Sequence, residues 1–178
     1  MFVYTFKSIE IGEAHMFHVD NWYSYYDTVA DIIETDEVQS MRAIPHHIGM
    51  TCYEHSVFVS YIAFRMANKM SLDAKAAARG GLLHDFYLYS PEERSRLNGS
   101  HSFLHPKIAL VNAMKLCEIT DKEKNIILSH MWPLSRTMPK SREAVLVNCA
   151  DKYCATAEAM RIWHRMKVRA YVPVVSTS

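Results

Sequence analysis

The stretch that most constrains this chain is an apolar helical segment, residues 77–83, which ends in the adjacent pair His84 and Asp85. Neighbouring residues on a helix point about 100° apart, so both side chains of such a pair can reach one ion beside the helix. An isolated His–Asp dipeptide is commonly structural: the histidine is hydrogen-bonded to a backbone carbonyl, and the aspartate lies in solvent. A metal site therefore requires further ligands from other helices.

The composition of the 178-residue chain is typical of a helical domain with a sizeable core, since 49% of its residues are hydrophobic and only five are glycine. The net charge of +1 and the lack of a Lys/Arg stripe predict no nucleic-acid partner. The four cysteines lack Cys-x-x-Cys spacing, which fits free thiols in a reducing cytoplasm. We expect a cytoplasmic protein without a membrane partner, because neither a signal-peptide pattern nor an apolar run of roughly 18 residues is present.

Capping patterns place the first ligand candidates on consecutive helices. Thr51, with Glu54 three residues later, forms a capping box that predicts a helix from Thr51 to about Met70. Asp73 precedes the next predicted helix, which extends to His84. Two adjacent glycines interrupt this helix, where each costs up to about 1 kcal/mol relative to alanine. The close approach of a neighbouring helix would explain them.

Proline and apolar spacing predict the flanking elements. A helix is predicted from Asn21, with apolar residues at helical spacing as far as Ile33. Residues 87–104 are predicted to form a long polar loop. His105 followed by Pro106 is then predicted to open a helix, because proline at the first helical position lacks an N–H that would be unpaired anyway.

Two further helices complete the predicted architecture. Thr120 begins a second capping box and a helix that reaches His130, and the last helix is predicted from Arg142 to about Lys167 and carries Asp151. The fold class is therefore all-α, a helical bundle with a central metal site.

We expect a single domain over residues 1–178. Its core is predicted to span about residues 44–165, after an N-terminal extension (residues 1–20) and before a loose tail (residues 170–178).

Residue types that bind metals recur on or at the edge of successive predicted helices, one helix and one connection apart. The six candidate ligands are His55, His84, Asp85, His105, His130 and Asp151. A bundle can project such residues into one central cavity. Imidazoles and carboxylates without a thiolate favour a divalent transition metal such as Fe, Mn or Zn. Six side chains exceed the needs of one ion, so two ions that share a carboxylate fit the set better.

The order of these residues resembles the HD-domain superfamily of metal-dependent phosphohydrolases, over about residues 44–158. The resemblance rests on a histidine, a His–Asp pair and a later aspartate, with two further histidines typical of members that hold two metals: His55, His84, Asp85, Asp151, His105 and His130. The pattern is also similar to a group of small bacterial HD proteins.

The resemblance implies that Asp85 is catalytic and bridges two ions. It assigns the other ligands to a first ion, held by His55, His84 and Asp151, and to a second, held by His105 and His130. It implies that a metal-activated hydroxide attacks a phosphomonoester or phosphodiester in a nucleotide or another small phosphorylated substrate.

Substrate-binding residues are predicted from their position near the ligands. Lys152 follows the last ligand and is a candidate catalytic residue that binds phosphate, although an ordinary surface lysine is the alternative. His47, rather than its neighbour His46, is the candidate in the loop before the first ligand helix, and Arg136 is the candidate after the last histidine.

Two other functions remain open from the sequence. The six-ligand form of the fold is also used by mixed-valence diiron oxygenases that cleave carbon–carbon or carbon–phosphorus bonds, and ligand types alone do not separate them from hydrolases. The other alternative is a non-catalytic, metal-containing binding module. The complete ligand set argues against it. No sequence feature indicates an oligomeric state.

Overall fold

A computed structural model describes residues 19–46, 49–96 and 101–160 of the chain. These residues form eight α-helices and a 3₁₀ turn: α1 (Val19–Ile33), α2 (Asp36–Ser40), the 3₁₀ turn (Met41–Ala43), α3 (Cys52–Lys69), α4 (Ala74–Leu83), α5 (Pro91–Ser95), α6 (His101–Leu116), α7 (Asp121–Ser129) and α8 (Arg142–Ala159). The described residues contain no strand, and the all-α prediction is confirmed. Among them, no helix combines the length and hydropathy that a membrane span requires.

Several predictions concern residues that lie partly or wholly outside these described ranges. The predicted tail, the continuation of α8 to Lys167, and the predicted substrate contact His47 lie outside the described residues. So does the predicted N-terminal extension, except for the two residues that begin α1. The single-domain boundaries therefore stay a prediction.

Helix α4 is packed between α3 and α7, and its two glycines are the reason that both helices can approach it. A Cβ atom added to Gly80 would lie 2.7 Å from Ile126 Cγ2 of α7. A Cβ atom added to Gly81 would lie 3.0 Å from Ser60 Cα of α3. The expectation of close helix approach at these two positions is confirmed.

The apolar stripe of α1 packs against α3, as its spacing predicts. The rings of Trp22, Tyr25 and Tyr61 lie with their centroids 5.1–5.3 Å apart, in tilted and edge-on arrangements. Helix α1 begins at Val19, two residues before the predicted cap Asn21. The apolar period locates a helix better than it locates the helix end.

The caps predicted for α3, α4 and α7 are present. Thr51 with Glu54, and Thr120 with Glu123, form complete capping boxes at the starts of α3 and α7. The Asp73 side chain accepts a hydrogen bond from a backbone N–H in the first turn of α4.

The predicted loop over residues 87–104 is wrong. Ser90 and Glu93 form a third capping box, which starts α5 within that range. Helix α6 already includes His101, so Pro106 lies inside it and does not open it. Pro106 is buried, and it removes a single backbone hydrogen bond near the start of the helix.

Candidate metal centre

The six predicted ligands converge on one region of the bundle. They come from α3, the end of α4, α6, the end of α7, and α8: His55, His84, Asp85, His105, His130 and Asp151. All are buried except Asp151, which is partly exposed. The helices thus bring together side chains that are far apart in sequence, as the bundle prediction requires.

Two of the histidines are held in the same way at helix ends. His84 caps the C-terminus of α4 and His130 caps that of α7. In each, Nδ1–H donates to the carbonyl three residues earlier, over 2.7 Å to Gly81 O and 2.7 Å to Ile127 O. This bond leaves the lone pair on Nε2, the nitrogen that faces the carboxylates. Burial also lowers the pKa of His130, which favours the neutral ring.

His55 lies between two carboxylates. Its Nδ1–H donates to Glu158 Oε1 over 2.7 Å, and its Nε2 lies 3.2 Å from Asp151 Oδ1. Burial alone would lower the pKa of His55, but the hydrogen bonds to Asp151 and Glu158 raise it to about 10. The two carboxylates therefore favour positive charge at this position.

Asp85 turns its two carboxylate oxygens toward different histidines. Oδ1 lies 3.2 Å from His105 Nε2 and 3.5 Å from His130 Nε2. Oδ2 lies 3.6 Å from His84 Nε2 and 3.6 Å from His46 Nε2. Burial would raise the pKa of Asp85, but the neighbouring imidazoles hold it well below its ordinary value. The ionised carboxylate thus presents one oxygen to each of two groups of nitrogens.

Asp151 completes the group on the α3 side. Its Oδ1 lies 3.6 Å from His84 Nε2, and one ligand atom from each of His55, His84 and Asp151 lies within 4.8 Å of the others. Burial would raise the pKa of Asp151, but the neighbouring imidazoles of His55 and His84 keep it well below its ordinary value. His84, Asp85 and His130 form a second group of the same kind.

The donor set and its buried atoms fit a divalent cation. His84 Nε2 and Asp85 Oδ1 are buried and have no hydrogen-bond partner in the described part of the chain. Leaving such atoms unpaired costs about 1–3 kcal/mol each, which bound cations would offset. His105 Nε2 and His130 Nε2 lie 2.8 Å apart, so a proton or a cation must separate their lone pairs.

The predicted phosphate contacts lie at the edge of this region. The Lys152 ammonium donates to His130 O over 3.1 Å and lies 3.5 Å from Asn148 O. Lys152 is exposed as a residue, and partial desolvation of its ammonium group lowers its pKa. Arg136 is exposed in the segment between α7 and α8. Their contacts with a substrate stay a prediction.

Sequence reasoning missed two residues of the site. Glu158 lies two helical turns beyond Asp151, and this same-face spacing on α8 is a signal that could have found it. His46 approaches Asp85, although the sequence analysis favours His47 as the substrate contact in that loop. Adjacent histidines outside regular structure carry no periodicity that would tell which one faces inward.

Comparison with known proteins identifies the family. The HD domain family matches residues 52–156, more than half of the chain, and the chain belongs to this family. Ribonuclease Y of Thermotoga petrophila is 35% identical over 113 residues, which is 64% of this chain and 20% of that protein. Ribonuclease Y of Clostridium perfringens is 32% identical over 124 residues, 70% of this chain and 22% of that protein. The chain spans about a fifth of the length of these curated relatives.

The resemblance drawn from the sequence is thereby confirmed. The chain carries an HD domain, the domain that defines a superfamily of metal-dependent phosphohydrolases, and its His/Asp clusters suit the divalent metals that HD domains bind.

Proposed function

We propose that this protein hydrolyses a phosphoester bond in a nucleotide or another small phosphorylated molecule, with two divalent ions on either side of Asp85. The observation that supports this proposal is the division of the Asp85 carboxylate. Oδ1 faces His105 and His130, whereas Oδ2 faces His84. A carboxylate between two nitrogen groups is suited to bridging a pair of ions, the arrangement used for in-line displacement at phosphorus.

Each ion would have its own ligands in addition to Asp85. One would be held by His55, His84 and Asp151, and the other by His105 and His130. Bound divalent ions lower the pKa of water and neutralise the charge on phosphoryl oxygens. The nitrogen and oxygen donors favour Fe, Mn or Zn.

Hydrogen bonds within the chain orient the histidine ligands. The Nδ1–H groups of His55, His84 and His130 are each bound to a carboxylate or a backbone carbonyl, so each Nε2 is aimed before any ligand arrives. Groups fixed in a buried site need little reorganisation during the reaction. Asp85 and Asp151, which are ionised, balance the positive charge that binds there.

Lys152 is our candidate for a direct contact with a substrate phosphate. An ammonium group has three N–H donors, and the carbonyls of His130 and Asn148 engage only part of this capacity. Arg136 and His47 are further candidates for contacts with the substrate.

A small substrate is favoured over RNA. The curated relatives are named as ribonucleases, but the similarity covers about a fifth of their length. The net charge of this chain is only +1, whereas proteins that bind a polyanion gain most of their affinity from Lys and Arg contacts with phosphates.

The proposal is tested by reconstituting the metal-depleted full chain with Mn²⁺, Fe²⁺ or Zn²⁺ under anaerobic conditions. Substrates would be a panel of nucleotides, p-nitrophenyl phosphate, bis(p-nitrophenyl) phosphate and a short RNA. We expect hydrolysis of at least one small phosphoester without oxygen. Activity should be lost with EDTA or in Asp85→Asn, whereas Asp27→Asn, an exposed position on α1, should match the wild type.

Two results would contradict the proposal. Substrate loss coupled to oxygen consumption would favour the diiron oxygenase. Cleavage of RNA alone, with no small phosphoester accepted, would exclude the proposed substrate class.

A further inference from the structure

His46 brings another imidazole to the metal centre, from a segment that is not helical. Its Nε2 lies 3.6 Å from Asp85 Oδ2, and its ring centroid lies 4.2 Å from that of His55. One ligand atom from each of His46, His55 and Asp85 lies within 4.8 Å of the other two. This third group overlaps the two groups already described and adds a residue that neither contains.

The backbone fixes His46 in this place. The His46 N–H donates to Met50 O over 3.0 Å, and the Cys52 N–H donates to Ile44 O over 2.8 Å. Gly49 has a φ of +77°, a left-handed conformation that glycine adopts without a Cβ penalty. These bonds join His46 and Ile44 to the residues that lead into the helix that carries His55.

His46 and His84 approach the same carboxylate oxygen at the same distance. Both Nε2 atoms lie 3.6 Å from Asp85 Oδ2. Two ligands of one ion, with bonds near 2.1 Å, are separated by roughly 3.0–3.4 Å at octahedral or tetrahedral angles. The distance from His46 Nε2 to Asp85 Oδ2 is slightly longer than this, as is that from His84 Nε2, so a small closing movement would let His46 and Asp85 share an ion.

We propose that His46 is a metal ligand that binds through Nε2, together with His55 and Asp85, one of the two ions, an inference that rests on the two-ion site of the proposed function. This group offers the ion two imidazoles and one carboxylate. The HD domain match begins at residue 52, so His46 comes from the segment that precedes the matched region.

Two features of its surroundings support a ligand at the mouth of the site. The His46 side chain is 13% exposed, whereas those of His55 and His84 are fully buried. Its other nitrogen, Nδ1, lies 3.5 Å from the Tyr87 hydroxyl. Metal-binding histidines commonly have such a partner on the second ring nitrogen, which fixes the ring orientation.

The test is Co²⁺ binding to the metal-depleted full chain, measured by competition with a chromophoric chelator and by d–d absorption. We expect two Co²⁺ per wild-type chain. In His46→Ala, one of the two should bind at least about tenfold more weakly, because even partners that only orient a ligand contribute 10–100-fold. The d–d spectrum should change, and added imidazole should restore it, since the vacated position is open to solvent.

Tyr87→Phe is the matched control, because it keeps the His46 ring and removes only the neighbouring hydroxyl. It should retain both Co²⁺ sites and lose less affinity than His46→Ala, because the ligand itself is kept and only its orienting partner is removed. The inference is overturned if His46→Ala loses Co²⁺ affinity that added imidazole does not restore, and if Tyr87→Phe loses as much. The effect would then come from the folding of the segment and not from a lost ligand.

Equal Co²⁺ affinity and equal spectra in His46→Ala and the wild type would also overturn it. A rise in the KM for a phosphoester in that variant would then make His46 a substrate contact. Because the readout is metal affinity, a wild type that binds Co²⁺ as expected but hydrolyses no phosphoester would refute the proposed function and leave the His46 assignment standing.

Discussion

The Nδ1 atom of His55 lies 2.7 Å from Glu158 Oε1, and this bond joins α3 to the end of α8 beside the metal centre. Both side chains are buried. The bond orients the His55 ring so that Nε2 faces Asp151. A carboxylate on the far nitrogen of a metal-binding histidine sets both the tautomer and the basicity of the ring.

Replacing Glu158 should therefore weaken metal binding without removing a ligand. We expect Glu158→Ala to lower metal affinity by about 10–100-fold, measured by chelator competition. Glu158→Gln should lose less, because its amide oxygen can still accept the bond from Nδ1–H. Glu118→Gln, an exposed position between α6 and α7, is the control and should have no effect. Unchanged affinity in Glu158→Ala would remove Glu158 from the site.

Alanine at the two glycines of α4 should destabilise the fold by different routes. Gly81→Ala would meet the Ser60 backbone, so we expect a loss of about 1–3 kcal/mol despite better helix propensity. Gly80→Ala would meet only the Ile126 side chain. In urea unfolding, Ile126→Ala should therefore reduce the cost of Gly80→Ala, whereas Ser60→Ala should not reduce that of Gly81→Ala. Additive effects in the first pair would contradict this packing.

The pH dependence of stability should contain a contribution from Glu143. Its carboxylate accepts hydrogen bonds from the Asp73 N–H over 3.1 Å and from Lys122 Nζ over 3.2 Å. Burial would raise the pKa of Glu143, but these bonds lower it from 4.5 to about 2. The folded state is thus stabilised above about pH 4.5, and this stabilisation is lost as the pH falls toward about 2.

We therefore expect Glu143→Gln to be less stable than the wild type at pH 6, with a difference that shrinks by pH 3. Urea titrations at several pH values would measure it, with Glu118→Gln as the control. A difference that stays constant over this range would show that the Glu143 carboxylate contributes no linkage to folding.

Asn148 fixes the turn that follows α7. Its side-chain amide lies 3.2 Å from Ser129 O, 2.6 Å from His130 O and 2.8 Å from Trp132 O. Asn148→Ala should cost about 1–3 kcal/mol, because these carbonyls lose their donor. Asn148→Asp should cost more, since a carboxylate would face carbonyl oxygens. Thermal unfolding would measure both, with the exposed Asn68→Ala as the control, and an Asp variant as stable as the Ala variant would contradict the assigned bonds.

The caps were predictable from sequence because they are local. The side chains of Thr51 and Thr120 each accept a hydrogen bond from a backbone N–H only three residues away. A pattern of four consecutive residues is therefore enough to predict the cap. Pro106 was misplaced because its signal depends on where the helix begins, and that start lies earlier in the chain.

The residues of the metal centre were predictable only in part. Their residue types and spacing identify them, because each helix contributes its own side chain to one cavity. The partner of His55 lies 103 residues away in sequence, and no local pattern connects the two. His46 is placed by a loop whose path depends on Gly49 and on hydrogen bonds to the start of α3, so its direction follows only from the fold.

The bridging role of Asp85 is tested by counting the metal ions bound per chain after reconstitution, for the wild type, His105→Ala and Asp85→Ala. We expect two ions in the wild type, one in His105→Ala, and loss of tight binding at both positions in Asp85→Ala. A wild type that binds a single ion, or an Asp85→Ala variant that still binds two, would contradict the bridging role of Asp85.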